Sequence, residues 1–272
     1  MNDPLDADLA QGRDDLRRAR LVYQQLALRH FLLAFQPVID GRDPARVLYH
    51  ESLLRHDGPD LGFNPIAALE RRNAMGLLDR SVLACVISTL EQHPQLHLGC
   101  NLSAQSACDS LAWHPLWTRL RHRPDVAARL VLEITESATP ADPTRTLAFI
   151  AQVQALGCRV AIDDFGAGFA SLAFVRQARP DVLKVDRGYL HRAREDGPQA
   201  QVFHHLVKLC QGLAPEVVVE GVEDEDDHAR AVATGAVWLQ GFHFARPSLQ
   251  YPVAGCRVLL SSESGVAMTN DV

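Results

Sequence analysis

Eight short apolar runs, most of them separated by an amphipathic stretch of helix length, constrain this chain more than any other feature. The runs cover 32–39 (LLAFQPVI), 47–54 (VLYHESLL), 96–101, 129–134, 158–163, 182–185, 216–220 and 237–240. Helix-period segments cover 65–76, 79–93, 115–123, 143–156, 170–178, 198–213 and 224–234. In one of them Leu147, Phe149, Ile150, Val153 and Leu156 fall near i, i+3, i+4 spacing. Asp142-Pro143 starts that segment and Gly157 stops it. This alternation predicts an α/β fold, a TIM-like (β/α)8 barrel. The first connection, Gly41 to Arg46, is too short for a crossover helix, so the first strand is expected to run antiparallel to the second. An open doubly wound sheet with a hairpin at its edge is the alternative. Residues 1–30 read as an N-terminal helical extension, 31–250 as the barrel domain and 251–272 as a polar tail.

The exclusions are simple. No run of about 18 apolar residues offers a transmembrane helix, and the charged N-terminus does not read as a secretory signal. Six cysteines are scattered without a CxxC pair, which predicts reduced thiols and a cytoplasmic location. No HExxH occurs, and Pro94 breaks any helical pairing of His93 with His97. A net charge of −6 argues against a nucleic-acid polymer and against a polybasic membrane anchor.

Polar residues concentrate at the C-terminal ends of the strand-like runs. Run two ends in Glu51-Ser52-Leu53-Leu54-Arg55, run three in Asn101-Leu102-Ser103 and run four in Glu133-Ile134-Thr135-Glu136. Run five ends in Asp163-Asp164, run six carries Lys184 and is followed by Asp186, run seven ends in Glu220 with Glu223 beyond it, and run eight ends in Gln240. In a barrel these ends share one face, where barrel enzymes place their chemistry. Carboxylates gathered so closely repel by roughly 4 kcal/mol per pair at about 4 Å and an effective dielectric near 20. Protons or cations must offset that. An all-oxygen donor set suits hard cations such as Mg²⁺ or Mn²⁺, and two such ions about 4 Å apart are suited to phosphodiester cleavage. A lone acid at a strand end is more often a helix cap, and Asp186 and Glu223 individually keep that reading. Gly166-Ala167-Gly168 lacks the last glycine of a dinucleotide loop and reads as a mobile loop beside the site. Most of the acidic excess falls in this one set, which leaves the rest of the chain almost neutral.

From Phe35 to about Pro247 these residues resemble the EAL-domain phosphodiesterases of bacterial cyclic di-GMP signalling. The signature stretches are Phe35-Gln36-Pro37-Val38-Ile39, Glu51-Ser52-Leu53-Leu54-Arg55, Asn101-Leu102-Ser103 and Glu133-Ile134-Thr135-Glu136-Ser137. They continue with Asp163 to Leu172, Leu183-Lys184-Val185-Asp186-Arg187, Glu220-Gly221-Val222-Glu223 and Gln240-Gly241-Phe242. The resemblance implies a barrel with an antiparallel first strand and hydrolysis of cyclic di-GMP to linear pGpG by a two-metal-activated water. By motif, Glu51, Asn101, Glu133 and Asp163 look like ligands of a first divalent ion, and Asp163, Asp164 and Glu220 like those of a second. Lys184 looks like the group that orients or deprotonates the attacking water, with a pKa that nearby cations would lower. Glu223 and Gln240 look like supports for the second ion's waters. Arg55 resembles a phosphate clamp, and Gln36, Leu54 and Asp186 resemble substrate contacts. Glu136 resembles the anchor of the loop 164–171, a region through which the family implies a homodimer.

Departures are few. Ser52, His56, Ala167, Phe169 and Ala170 differ from common family residues, and Asn73 falls near a common glycine; of these, His56 is expected to alter guanine packing. No expected metal ligand is missing, which favours an enzyme over a catalytically silent cyclic di-GMP receptor that signals to a protein partner. A metal phosphodiesterase for another cyclic dinucleotide is a third reading.

Overall fold

The computed structural model describes residues 4–103, 105–106, 111–135, 142–168, 171–195 and 197–260. In chain order the elements are α1 (Pro4–Ala27), β1 (Phe31–Asp40), β2 (Val47–His56), α2 (Pro65–Glu70), α3 (Gly76–Gln92) and β3 (Leu98–Leu102). Then follow α4 (His114–His122), α5 (Pro124–Ala127), β4 (Leu130–Thr135), α6 (Pro143–Ala155), β5 (Arg159–Phe165), α7 (Leu172–Ala178) and β6 (Val182–Val185). The chain continues through α8 (Arg187–Arg192), α9 (Pro198–Gln211), β7 (Glu216–Glu220), α10 (Glu225–Ala233) and β8 (Trp238–Gln240). The strands close into a barrel in sequence order, as a TIM-like (β/α)8 fold requires. β1 is antiparallel to both β2 and β8, and every other neighbour is parallel.

Two apolar layers hold the barrel. Val38, Tyr49, Val131, Ala161, Val182, Val218 and Trp238 form one buried cluster, with one residue drawn from each of seven strands. A larger cluster packs helices against the strands and includes Leu33, Leu98, Leu132, Val160, Leu183, Val219 and Leu239. Segments flanking the barrel strands on both sides join it, Val258 among them. Ala19, Val22 and Leu26 of α1 are buried there, so the segment read as an extension contributes to the barrel's own core. The β1–β8 seam pairs only at Ile39 and Asp40. Residues 248–258 cover the rest: Leu33 N donates to Cys256 O (2.8 Å) and Val258 N to Phe31 O (2.9 Å). Residues 251–260, read as tail, therefore line the seam; 261–272 lie outside the described residues. Among the described residues no helix is long and apolar enough to cross a membrane.

The helix expected over 65–76 ends at Glu70. Asn73 takes φ +50, a left-handed conformation that asparagine tolerates better than most residues and that glycine adopts freely. α8 was not expected. Its six residues are too few to show a period, and the Asp186 side chain starts it by accepting from Gly188 N (3.1 Å). Asp79 of α3 accepts from Ser103 N (3.1 Å) and so holds the chain just past β3. Burial pushes its carboxyl up to about 6. A carboxyl raised in the folded state binds its proton more tightly there. Its contribution is therefore fully present below the unfolded value of 3.8 and is lost as pH rises to about 6. Asp79→Asn keeps an acceptor without the charge. Urea unfolding at pH 5 and pH 7.5 should show the pH dependence reduced by about 1–1.5 kcal/mol in the variant.

Candidate active site

Strand alternation explains why the polar groups meet. Two residues beyond the inward-facing Tyr49, Val131, Ala161, Val182, Val218 and Trp238 come Glu51, Glu133, Asp163, Lys184, Glu220 and Gln240. β1 runs the other way, so Gln36 precedes Val38 by two. The apolar layer is the floor and the polar layer lies on it. Asp164 would face away in a regular strand. The β5–β6 register shifts between Ile162 and Phe165, and Asp164 has φ +54, which lets adjacent carboxyls share the pocket.

Lys184, fully buried, is the centre. Its Nζ lies 2.8 Å from Glu133 Oε2, Asp163 Oδ1 and Glu220 Oε1, and 3.2 Å from Glu51 Oε2. Glu51 also accepts from Asn101 Nδ2 and Gln240 Nε2, both at 2.7 Å. Tyr49 O–H donates to Glu133 Oε2 (3.2 Å). Burial alone would lower the Lys184 pKa, but Asp163, Glu133, Glu220 and Glu51 together raise it well above its ordinary value. So surrounded, the ammonium donates to the carboxylates around it. Burial holds Glu133 well above the usual carboxyl range and Glu220 at about 8, despite Lys184. Burial and neighbouring Asp163 push Asp164 to about 6. Burial acts against ionised Glu51 too, yet Lys184, Asn101 and Gln240 bring its pKa below normal.

The pocket thus holds more carboxylate than one lysine can neutralise. Glu133 Oε1 has no hydrogen-bond partner, and Asp163 Oδ1 meets Lys184 only as an ion pair. Oxygens of Glu51, Glu133 and Asp163 lie within 4.8 Å of one another, and so do oxygens of Asp163, Asp164 and Glu220. Two oxygen-donor groups sharing Asp163 fit a pair of hard divalent cations, with Asn101 placed beside the first through Glu51.

Above the acids opens a cleft of about 410 Å³. Gln36, Glu51, Asp164, Asp186, Glu220, Glu223 and Gln240 line it, with Leu53, Arg187 and Phe242 among the apolar and basic walls. Gln36 Nε2 donates to Ala245 O (3.0 Å), which fixes its amide. Leu54 corrects an expectation. Alternation turns its side chain to the core, and Leu53 occupies the cleft wall instead. Arg55 is exposed and its Nη1 donates to Leu54 O (2.8 Å). Asp186 caps α8 and lines the cleft at once. Glu223 pairs with Arg194 (2.8 Å), whose guanidinium also binds buried Asp227 (2.7 Å). His56 sits against Gln25 of α1 (3.3 Å) and Phe31. Glu136 lies outside the described residues, as do 169–170 of the loop 164–171. In the described part of that loop, Tyr189 O–H donates to Gly166 O (3.0 Å). A second cavity of about 480 Å³, between α3 and residues 253–260, has no acidic lining residue.

Tyr49 was missed, although its position two residues before Glu51 in an alternating strand was the available signal. It acts with Gly99. A Cβ on Gly99 would stand 2.1 Å from Glu133 Oε1 and 2.6 Å from the Tyr49 ring. Gly99→Ala is therefore expected to displace Glu133, to cost about 1–3 kcal/mol of stability and to weaken divalent-ion binding. Calorimetric titration with Mn²⁺ beside a thermal melt checks both effects.

Fold and chemistry together define a barrel with an acidic, cation-seeking pocket at the C-terminal ends of its parallel strands. The EAL domain model matches residues 13–247, and the chain belongs to that family. It is 31% identical over 251 residues to the bifunctional diguanylate cyclase/cyclic di-GMP phosphodiesterase MucR of Pseudomonas aeruginosa, covering 88% of this chain and 36% of MucR. The chain thus spans about a third of that relative's length. The solved PaMucR phosphodiesterase, in complex with c-di-GMP, superposes with TM-score 0.74 at 28% identity over 85% of this chain and 97% of that one. BlrP1 of Klebsiella pneumoniae, solved as a manganese/cy-diGMP complex, matches at 25% identity and TM-score 0.65 over 80% of this chain and 56% of that one.

Proposed function

We propose that this chain hydrolyses one phosphodiester bond of cyclic di-GMP, giving linear pGpG. The observation that carries this reading is the pair of oxygen-donor groups sharing Asp163, with Lys184 between them. Glu51, Asn101, Glu133 and Asp163 would hold one divalent ion, Mg²⁺ or Mn²⁺, and Asp163, Asp164 and Glu220 the other. Bound there, such ions supply an activated water and offset charge on the leaving oxygen. The chain's own groups do the rest. Lys184 orients the attacking water, while Gln240 fixes Glu51 and Glu223 supports the second group. Gln36, Arg55 and Asp186 contact the nucleotide. We place the enzyme in the cytoplasm as a homodimer joined through the loop 164–171 region, with no nucleic-acid polymer or membrane as partner.

Chromatography of cyclic di-GMP after incubation with the protein and Mg²⁺ or Mn²⁺ tests the proposal. Linear pGpG supports it. Intact nucleotide bound at stoichiometry would replace it with the silent receptor, and preferential cleavage of another cyclic dinucleotide would replace the substrate.

A further inference from the structure

We infer that Glu225, His228 and His243 form a separate binding site for a borderline transition-metal ion of the Zn²⁺ type, on the outer side of the cleft wall. Candidate donor atoms of the three residues lie within 4.8 Å of one another. Two segments build the site. Glu225 opens α10 and His228 follows one turn later on the same face. His243 comes from the turn after β8, where its own backbone N donates to Val222 O (3.0 Å).

Hydrogen-bond chemistry argues for a cation here. His228 Nε2 lies 2.7 Å from the carbonyl oxygen of Gly41. A carbonyl only accepts, so Nε2 carries the proton and a neutral ring leaves Nδ1 as a lone pair. That lone pair faces Glu225 Oε1 at 3.4 Å. Two acceptors so placed need a positive charge between them, either a proton or a metal. A backbone carbonyl on the far nitrogen is also the arrangement that orients metal-ligating histidines. On the other side His243 Nε2 lies 3.5 Å from Glu225 Oε2, and the two imidazoles stack at 5.7 Å and 22°. Donors about 2.0–2.1 Å from a tetrahedral zinc lie about 3.4 Å apart, close to both separations. Two imidazoles and a carboxylate suit Zn²⁺, Co²⁺ or Ni²⁺, whereas Mg²⁺ prefers oxygen alone. The neighbouring group of His191, Glu223 and Asp227 is different, because Arg194 already supplies its positive charge.

Gln240, Gly241 and Phe242 line the cleft, and His243 is the next residue, facing α10. A metal here clamps that turn to α10 and, through His228, to the β1–β2 loop.

Equilibrium dialysis against Zn²⁺ at pH 8 in excess Mg²⁺, with metal analysis, tests the site; the pH is chosen because protons compete for the same lone pair. The full chain should retain one equivalent of Zn²⁺ and melt at a higher temperature with it. His243→Leu and His228→Leu should each bind Zn²⁺ at least about 10-fold more weakly and lose the Zn²⁺-dependent melting shift. Glu51→Ala, in the cleft, should keep both. If His228→Leu fails to fold without its bond to Gly41, His243→Leu alone decides. Retention of one equivalent at unchanged affinity in His243→Leu overturns the proposal, as does loss of that equivalent in Glu51→Ala.

Discussion

Asp163→Asn is expected to lower cyclic di-GMP hydrolysis by about 10³-fold or more, and Glu51→Ala by about 10²–10³-fold. The ranking follows from position. Asp163 contributes to both oxygen-donor groups and Glu51 to one. Asparagine keeps the size of Asp163 and one acceptor, so the loss reports charge rather than shape. Glu51→Ala also removes the acceptor shared by Asn101 Nδ2 and Gln240 Nε2, of which Gln240 keeps a longer bond to Gln36 Oε1 (3.5 Å). It should therefore destabilise the protein as well, by about 1–3 kcal/mol for the partners left unsatisfied. Initial rates at saturating Mn²⁺ beside urea unfolding separate the two effects. Chelation should abolish wild-type activity, and restored Mn²⁺ should return it. Full activity in excess chelator would sink the two-ion reading outright.

Why was this site legible in the sequence, when other parts were not? Its residues sit at period-2 positions in short strands, and a closed barrel brings strand ends to one place whatever the loops do. Glu51, Glu133, Asp163 and Lys184 needed no tertiary detail to be brought together. Asp164 did need it: regular alternation sends it outward, and only the bulge at φ +54 turns it in. Leu54 and Leu53 show the reverse. The motif pointed to Leu54, but alternation from Glu51 selects Leu53 for the cleft wall. α8 was invisible because six residues show no period, and Arg194 and the seam residues 248–258 because each acts through a contact made far along the chain, which periodicity does not carry. The upward shift of Lys184 belongs with these, because it depends on how many carboxylates crowd one ammonium, and that count exists only in three dimensions.

Lys184→Met carries the second large effect, and it divides stability from turnover. Methionine fills a similar unbranched volume but removes the cation from the midst of Glu51, Glu133, Asp163 and Glu220. Any two of those groups that are both ionised about 5 Å apart repel by roughly 3 kcal/mol at an effective dielectric near 20. In chelator, then, the variant should melt well below wild type, with its acids partly relieved by taking up protons. Divalent ions supply the missing charge. Mn²⁺ should raise the variant's melting temperature more than it raises wild type's, because in wild type the ions must compete with an ammonium for the same oxygens. Turnover should not recover with stability. If Lys184 orients the attacking water, its loss at saturating Mn²⁺ costs about 10²–10⁴-fold in kcat, while cyclic di-GMP affinity stays within a few-fold because Gln36, Arg55 and Asp186 are intact. Calorimetric titration with the nucleotide, single-turnover rates and melts with and without Mn²⁺ give the three readouts. Equal losses of affinity and rate would make Lys184 a binding group. Unchanged turnover beside a lowered melting temperature would make it a structural counter-ion alone.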